Sequence, residues 1–310
     1  MPYMISWQAA TLNAYLRLTM KRGGNRPLDA QELRDAAAGM TRFLGPVAAS
    51  FQSREVNTDG GLSFTLLGTD AAAEATARVV LYLHGGGFIF GSPQTHQAVA
   101  TATAEAFEAP VYALKYRLAP EHPFPAAIED ATGAYEWLLV RHPEAQIVLA
   151  GDSAGGGLAL ATAMNVRARA LRQPAAIVAF SAWCDLALTG SSIEANARRC
   201  SMLTPDGVRQ IAAIYLAGAD PHDPRASPLY GDVTGLPAML LFASRDELLL
   251  DDTERMAVRA AGAGATVQVV LRDDLPHAWP VFVPWLPEAR EAFVAVAAFA
   301  QQLVPQQART

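Results

Sequence analysis

The stretch Ala150–Gly156 of this 310-residue chain places a serine, Ser153, between two glycines. An apolar run, residues 147–149, precedes it, and a helical pattern follows it. A strand that enters a helix through Gly-x-Ser-x-Gly makes a sharp, strained turn, and the glycines let neighbouring backbone approach. Such a turn lifts the serine oxygen above the end of a sheet. The spacing therefore predicts nucleophilic catalysis by Ser153.

A nucleophilic serine needs a general base and an acid that orients the base. In a strand–turn–helix site the acid follows the serine along the chain, and the histidine comes last. His277 lies shortly after the last predicted strand, 267–271, so we predict that it is the base. His222 lies before the penultimate strand, which is the wrong place for that role.

The acid has several candidates after the strand predicted at 238–242. Asp246 follows this strand directly and is the preferred candidate. Glu247 is its neighbour, but we expect its side chain to leave the loop in another direction. Four further acids either begin a helix that would attract carboxylates in any case or lie too close to the histidine along the chain: Asp251, Asp252, Asp273 and Asp274.

The third requirement is a set of hydrogen-bond donors for the oxyanion. His84-Gly85-Gly86-Gly87 follows a predicted strand, and glycines present their amides without side-chain obstruction. We expect the oxyanion hole to involve Gly85, Gly86, Gly87 and Ala154, with the amides of Gly86, Gly87 and Ala154 as donors. This chemistry needs no metal and no cofactor.

Apolar side chains flank each of these loops and suit a small apolar acyl or alcohol group. Core packing is the alternative for each of them. The candidate substrate-pocket residues are Phe88, Phe90, Trp183, Met202, Leu248, Trp279 and Phe282.

Strand patterns alternate with helical patterns from about residue 50, which predicts a mostly parallel sheet covered by helices on both faces. Two helices are predicted before any strand, at 5–20 and 29–43, and a long connection spans 181–237. We expect N-terminal cap helices in residues 1–45 and a catalytic domain in residues 46–310, with a cap insertion at about 185–225. The eight predicted strands are 55–57, 62–66, 78–83, 111–114, 146–149, 175–180, 238–242 and 267–271.

Composition limits the other function classes. Hydrophobic residues make up 51% of the chain and charged residues 17%, which excludes a disordered protein. The net charge of −6 and the lack of basic clusters argue against nucleic acid and against stable membrane association. Two cysteines, Cys184 and Cys200, form no disulfide framework, so we expect a cytoplasmic protein. The first residues also lack the pattern of a signal peptide, and no membrane span is predicted.

These motifs together resemble the hormone-sensitive-lipase-like (family IV) bacterial esterases, the α/β-hydrolase fold-3 group. The resemblance is carried by His84–Gly87, Tyr116–Ala127, Gly151–Gly156 and the loops at Asp246 and His277. The form Asp246-Glu247-Leu248, with the segment 181–186, looks like the branch containing monoterpene ε-lactone hydrolases and acetyl-hydrolases.

The resemblance implies an α/β-hydrolase fold with an eight-stranded, mostly parallel sheet and a helical cap. It also implies that His84 orders the oxyanion loop and that Arg117 and Glu121 hold the 116–127 loop. A homodimer through a sheet edge is a further option. Residues of the last helix that would support it, or else belong to the core, are Phe293, Val294, Val296 and Phe299.

The expected activity is that of a serine carboxylesterase acting on short- to medium-chain esters of small apolar substrates through an acyl-enzyme. A lactone hydrolase and a small-molecule deacetylase are alternatives within the same chemistry. A non-catalytic ligand-binding protein on this scaffold is the alternative from another class, but His277, which such binders lack, argues against it. The expected partner is a small-molecule ester.

Overall fold

The structure is a computed structural model that describes residues 5–21, 27–40, 52–68, 76–283 and 285–303. Its strands are β1 (Ser53–Asn57), β2 (Ser63–Leu67), β3 (Arg78–Leu83), β4 (Val111–Leu114), β5 (Gln146–Asp152), β6 (Ala176–Phe180), β7 (Ala238–Ser244) and β8 (Val267–Arg272). They form one sheet in the order β1-β2-β4-β3-β5-β6-β7-β8. The strand β2 is antiparallel to both of its neighbours, and β3 to β8 run parallel. The predicted fold class is confirmed.

Helices follow the strands as the alternating pattern predicts. In the described part of the chain they are α1 (Trp7–Met20), α2 (Ala30–Met40), α3 (Gln97–Phe107), α4 (Ala126–Arg141), α5 (Ala154–Ala168), α6 (Ser192–Ala195), α7 (Pro205–Leu216), α8 (Leu250–Gly262) and α9 (Pro287–Gln302). The end of the second predicted helix, 41–43, and the domain boundary expected at residues 45 and 46 lie outside the described residues.

The sheet separates two hydrophobic cores because strand side chains alternate between its faces. Ile147 and Leu149 of β5 pack into one core with α4, α5 and α8. Val148 and Ala150 pack into the other core with α3 and α9. The central strand β5 is therefore covered on both faces, and its carboxyl end is held in the middle of the sheet edge.

The last helix, α9, serves mainly as a core element. Phe293, Val296 and Phe299 are buried against the sheet, whereas Val294 is 70% exposed. Three of the four residues considered for a dimer contact therefore belong to the core.

The N-terminal helices lie outside the sheet and contact the loops at its carboxyl edge. Arg34 of α2 donates to the carbonyl oxygens of Ile89 (2.9 Å) and Ala119 (2.8 Å) and forms an ion pair with Glu121. Asn13 of α1 donates to the Asp274 carbonyl oxygen at 2.7 Å, on the loop after β8. These contacts tie α1 and α2 to the surroundings of Ser153.

The long connection between β6 and β7 contains α6 and α7. Thr204 caps the start of α7, where its hydroxyl accepts from the Gly207 amide at 3.1 Å. Near the other end of α7, Tyr215 stacks on Phe88 with ring centroids 3.9 Å apart. The helix is thereby fixed over the loop that follows β3.

Two expectations from composition concern cysteines and membranes. Cys184 and Cys200 are both buried and form no disulfide bond. Within the described ranges, no helix combines the length and the apolar character needed to cross a bilayer.

Gly157 in α5 is expected to be essential for packing, unlike an ordinary helical glycine. A Cβ at Gly157 would lie 1.9 Å from the Trp183 carbonyl oxygen, whereas a Cβ at Gly133 in α4 would meet only Leu62, at 3.7 Å. We expect Gly133→Ala to raise the free energy of unfolding by about 0.5–1 kcal/mol, since alanine favours the helix. Gly157→Ala should lower it by about 1–3 kcal/mol through overpacking. Urea denaturation measures both, and equal stabilisation by the two variants would contradict this interpretation.

Candidate active site

Ser153 occupies the sharp turn between β5 and α5. Its backbone has φ 52° and ψ −122°, a conformation that is strained for a residue with a side chain. Both flanking glycines are required by close backbone approach. A Cβ at Gly151 would lie 2.5 Å from the Gly155 carbonyl oxygen, and one at Gly155 would lie 2.0 Å from that of Leu83. The turn therefore holds the serine hydroxyl above the carboxyl end of the sheet.

His277 reaches Ser153 from the loop after β8. Its Nε2 lies 2.9 Å from Ser153 Oγ. The loop is anchored on both sides of the histidine: Ser244 Oγ donates to the Leu275 carbonyl oxygen at 2.7 Å, and the Ala278 amide donates to Ser181 Oγ at 2.9 Å. The imidazole is thus aimed at the serine by hydrogen bonds from two neighbouring strand ends.

The carboxylate that orients His277 belongs to Glu247. Glu247 Oε2 lies 2.7 Å from His277 Nδ1, and both side chains are buried. Because an ionised carboxylate only accepts hydrogen bonds, Nδ1 carries the imidazole proton, which leaves Nε2 free to accept the Ser153 proton. The arrangement is that of a serine, histidine and acid acting in series.

The placement of Asp246 corrects the sequence-based choice of acid. Its Oδ2 accepts the Asp274 amide, and its Oδ1 forms an ion pair with Arg199. The chain turns directly after β7, where the Glu247 amide donates to the Ser244 carbonyl oxygen at 3.3 Å, and in this turn the two acidic neighbours have different partners, so that only one of them faces the histidine. That one is Glu247, whose extra methylene helps it to reach His277. Within the described structure the imidazole nitrogens pair with Glu247 and Ser153, and no hydrogen bond or ion pair joins the imidazole to the four further acids of the sequence analysis, Asp251, Asp252, Asp273 and Asp274.

The amides of the glycine loop after β3 differ in what they bind: the Gly85 amide has a partner within the protein, whereas Gly86 and Gly87 line the cavity. The Gly85 amide donates to Asp152 Oδ1 at 3.0 Å and is not available to a substrate, which corrects its inclusion in the oxyanion hole. Gly86 and Gly87 line the same cavity as Ser153, with φ of 113° and 61°. Ala154 is the first residue of α5, where a helical amide lacks an intrahelical partner. These three amides have no protein acceptor among the described residues.

His84 contacts the glycine loop, and these contacts are those expected of a residue that orders it. Burial lowers the pKa of His84 to about 3, so the imidazole is neutral, and Nδ1 lies 2.7 Å from the Gly85 carbonyl oxygen. The ring stacks on Tyr116 with centroids 4.2 Å apart, and the Tyr116 hydroxyl donates to the His84 carbonyl oxygen at 2.7 Å. Arg117 forms an ion pair with Asp130 at 2.8 Å.

A small cavity of about 100 Å³ opens on Ser153 and His277. Three of the predicted pocket residues line it: Phe90, Trp183 and Met202. The lining residues that the sequence analysis did not single out as pocket residues come mainly from α7 and from the ends of loops. They are His96, Asp152, Leu203, Val208, Ile211, Leu249, Ala278 and Val281.

The other four predicted pocket residues pack elsewhere. Phe88 turns beneath α7 and stacks on Tyr215, and Leu248 is fully buried in the core. Trp279 and Phe282 lie on a short turn whose residues at 278 and 281 face the cavity. That turn points Trp279 and Phe282 into the core, where Trp279 meets Phe242 edge-on at 5.9 Å.

Metal ligation would need several donor side chains gathered at one place. Across the residues that the structure describes, no three His, Cys, Asp or Glu side chains form a group that could hold a metal ion. The groups that the site offers for chemistry are the side chains of Ser153, His277 and Glu247 and the amides around them.

Comparison with known proteins agrees with this geometry. The family model described as alpha/beta hydrolase fold matches residues 80–281. An acetyl-hydrolase of Streptomyces hygroscopicus is 43% identical over 228 residues, which cover 73% of this chain and 76% of the relative. An esterase of Acinetobacter venetianus is 31% identical over 300 residues, which cover 96% of this chain and 97% of the relative.

A solved structure shows the same likeness in three dimensions. An esterase from the bacterial hormone-sensitive lipase family superimposes with a TM-score of 0.88 at 35% sequence identity, covering 97% of this chain and 99% of that one. The motifs, the strand order and these similarities agree. The chain belongs to the α/β-hydrolase fold family and, within it, to the hormone-sensitive-lipase-like bacterial esterases.

Proposed function

We propose that this carboxylic ester hydrolase uses Ser153, His277 and Glu247 to cleave short- to medium-chain esters of small apolar substrates. The observation that carries the proposal is the hydrogen-bonded series from Glu247 through His277 to Ser153, which ends at a cavity. A non-catalytic binder would have no use for a histidine oriented in this way.

The reaction proceeds through an acyl-enzyme. Ser153 Oγ attacks the ester carbonyl carbon while His277 Nε2 takes the hydroxyl proton, and Glu247 stabilises the resulting imidazolium. The amides of Gly86, Gly87 and Ala154 donate to the oxyanion. The C–O bond then breaks, and the alcohol leaves with the proton from His277. Water attacks the acyl-enzyme by the same route and releases the acid and free Ser153.

Cavity size favours short acyl groups. The volume of about 100 Å³ is well below the 300–1,000 Å³ typical of drug-sized ligand sites. The residues at its apolar side include Val208 and Ile211 of α7, and Ile211 lies directly over Gly87. We infer that α7 limits the length of the acyl chain. Cleavage of acetylated small molecules or lactones would use the same residues.

A series of p-nitrophenyl esters from acetate to laurate tests this proposal, with lactones and acetylated amides as further substrates. We expect kcat/KM to be highest for the short esters. Absence of hydrolysis of every ester in the series would refute the proposed function.

Ile211→Ala is expected to shift this preference towards longer chains. The substitution removes most of the side chain above Gly87 and so makes room for a longer acyl chain. We expect the ratio of kcat/KM for the octanoate ester to kcat/KM for the acetate ester to rise by about tenfold, which corresponds to the free energy of burying one or two further methylenes. Ile214→Ala, on the same helix but outside the cavity lining, is the matched control. If both variants change the ratio equally, α7 does not set chain length.

The cap, the cellular location and the oligomeric state are also proposals. We infer that α1, α2 and the 185–225 insertion together act as a cap, supported by the contacts of Arg34 and Asn13 with the loops at the site. Unpaired, buried cysteines support a cytoplasmic location. The edge strand β8, with Val269 39% exposed, supports a homodimer, which light scattering tests.

A further inference from the structure

A buried carboxylate lies next to the oxyanion loop and has no role in the Ser153–His277–Glu247 series. Asp152 is 3% exposed and immediately precedes the nucleophile. Its Oδ1 accepts from the Gly85 amide at 3.0 Å and from the Tyr82 hydroxyl at 2.9 Å. The carboxylate therefore anchors the loop that carries the Gly86 and Gly87 amides.

Its position creates an electrostatic problem for catalysis. Asp152 lines the same cavity as Ser153, Gly86 and Gly87. The transition state of ester cleavage places negative charge on the oxygen held by those amides. An uncompensated negative charge in a buried site nearby would oppose that developing charge strongly. A cation close to Asp152 would remove the conflict.

His96 is placed to supply that cation. Its Nε2 lies 3.4 Å from Asp152 Oδ2. Its Nδ1 lies 3.2 Å from the Ser92 carbonyl oxygen and 2.8 Å from Thr95 Oγ1, whose own proton goes to the same carbonyl at 2.9 Å. Both ring nitrogens thus face oxygen atoms, and an imidazolium satisfies this arrangement with a hydrogen-bond donor on each nitrogen. His96 also lines the cavity.

We propose that His96 is a positioning residue that is held as an imidazolium against Asp152, fixes the oxyanion loop through it and cancels its charge in the transition state. The proposal rests on the proposed esterase function, since it assigns His96 a part in that reaction. His96 touches neither Ser153 nor the triad acid in the described structure; it acts through Asp152 and Gly85.

The ionisation of this pair agrees with the geometry. Burial by itself would lower the pKa of His96, but the Asp152 carboxylate and the Ser92 carbonyl raise it above the usual 6.5. Burial would raise the pKa of Asp152, but the charge of His96 and the hydrogen bonds from His96 and Tyr82 lower it. The two shifts have the directions expected of an ion pair.

Other titratable groups around the pair do not replace this cation. His84, whose ring centroid lies 5.4 Å from that of His96, is neutral because burial lowers its pKa to about 3. Burial raises the pKa values of Tyr82 and Tyr116, so both phenols stay neutral. His277 shares the cavity but is committed to Glu247 and Ser153.

The sign of the pH dependence follows from the raised pKa. A group whose pKa is raised by folding contributes its stabilisation at low pH, and that stabilisation is lost as the pH rises through the folded-state pKa. The wild-type enzyme should therefore lose kcat on the alkaline side, above pH 6.5, as His96 loses its proton. The free energy of unfolding should fall over the same interval.

His96→Gln tests the proposal because glutamine keeps a donor for Asp152 but does not titrate. We expect kcat to fall about tenfold near neutral pH, less than the 10²–10³ that loss of an oxyanion donor costs, with KM changed less than about twofold. The alkaline limb of the kcat profile should disappear. His222→Gln, which removes an exposed histidine beside Asp220, is the matched control and should keep the wild-type profile.

Asp152→Asn provides an independent variant if His96→Gln folds poorly. Its side-chain oxygen still accepts the Gly85 amide, and without the carboxylate no counter-ion is needed. It too should lack the alkaline limb, and the double variant should lose less activity than the product of the single losses. Retention of the limb in either folded single variant would overturn the proposal.

Nuclear magnetic resonance of ¹⁵N-labelled histidine gives a readout that does not depend on activity. We expect one imidazole signal, absent from His96→Gln, to show both ring nitrogens protonated at neutral pH. A neutral His96 would overturn the inference while leaving the esterase function intact. Failure of the wild-type protein to cleave any ester would refute the proposed function, whatever the charge of His96.

Discussion

Ser153→Ala is expected to lower kcat for p-nitrophenyl acetate by at least about 10⁴-fold, because no other nucleophile takes the place of the serine oxygen. Apart from the contact of its Oγ with His277, Ser153 makes its tertiary hydrogen bonds through the backbone: its amide donates to the Phe180 carbonyl oxygen at 2.8 Å, and its carbonyl accepts from the Trp183 amide at 2.9 Å. The substitution should therefore leave the fold intact, as thermal unfolding would verify.

A fluorophosphonate probe gives the same experiment a covalent readout. The wild-type protein should be labelled at Ser153, and the alanine variant should not be labelled at all. Labelling at another serine, or turnover near the wild-type level in Ser153→Ala, would show that the nucleophile lies elsewhere.

Glu247→Gln is expected to cost about 10³–10⁴-fold in kcat, the second large effect. An amide nitrogen can donate to His277 Nδ1, which favours the tautomer whose proton is on Nε2 and so prevents that nitrogen from accepting the serine proton. Because Glu247 Oε2 lies 2.7 Å from His277 Nδ1, the side chain at position 247 directly determines which imidazole nitrogen carries the proton. Steady-state kinetics with p-nitrophenyl acetate measures the loss.

Asp246→Asn is the matched control because it changes the neighbouring acid in the same way. The asparagine oxygen can still accept the Asp274 amide, and only the ion pair with the half-exposed Arg199 is lost. Asp246 is buried but Arg199 is 57% exposed, so solvent weakens this ion pair, and we expect a loss of less than about tenfold in kcat. A large loss in Asp246→Asn combined with a small one in Glu247→Gln would restore Asp246 as the acid.

The backbone elements were predictable because their signals are local. Each of the eight predicted strands lies within a few residues of an observed strand, and most of them were located by apolar runs of strand length. The Gly-x-Ser-x-Gly turn was also predictable, because the motif is contiguous in the sequence, although the Cβ clash that demands Gly155 is with Leu83 on a neighbouring strand. His277 followed from chain order and from the lack of another histidine after the last strand.

The residues that line the cavity were less predictable because proximity in sequence does not say which way a side chain faces. Phe88 is adjacent to the oxyanion loop, yet its ring is buried in the core, where it stacks on Tyr215 of α7. Trp279 and Phe282 lie on the histidine loop, but the turn exposes Ala278 and Val281 to the cavity instead. His96 belongs to no motif that the sequence analysis used, and its partner Asp152 lies far from it along the chain, so their proximity was not predictable.

Patterns along the amino-acid sequence are enough to predict a mostly parallel sheet with a candidate nucleophilic serine, a histidine and a glycine loop at one edge. Those features depend on periodicity, motif spacing and chain order, which can be recognised along the chain without knowledge of its folded contacts. That Glu247 and not Asp246 faces His277 becomes apparent only when the chain is folded. The reason is that Arg199 and the Asp274 amide bind the Asp246 carboxylate, whereas the neighbouring Glu247 carboxylate binds His277.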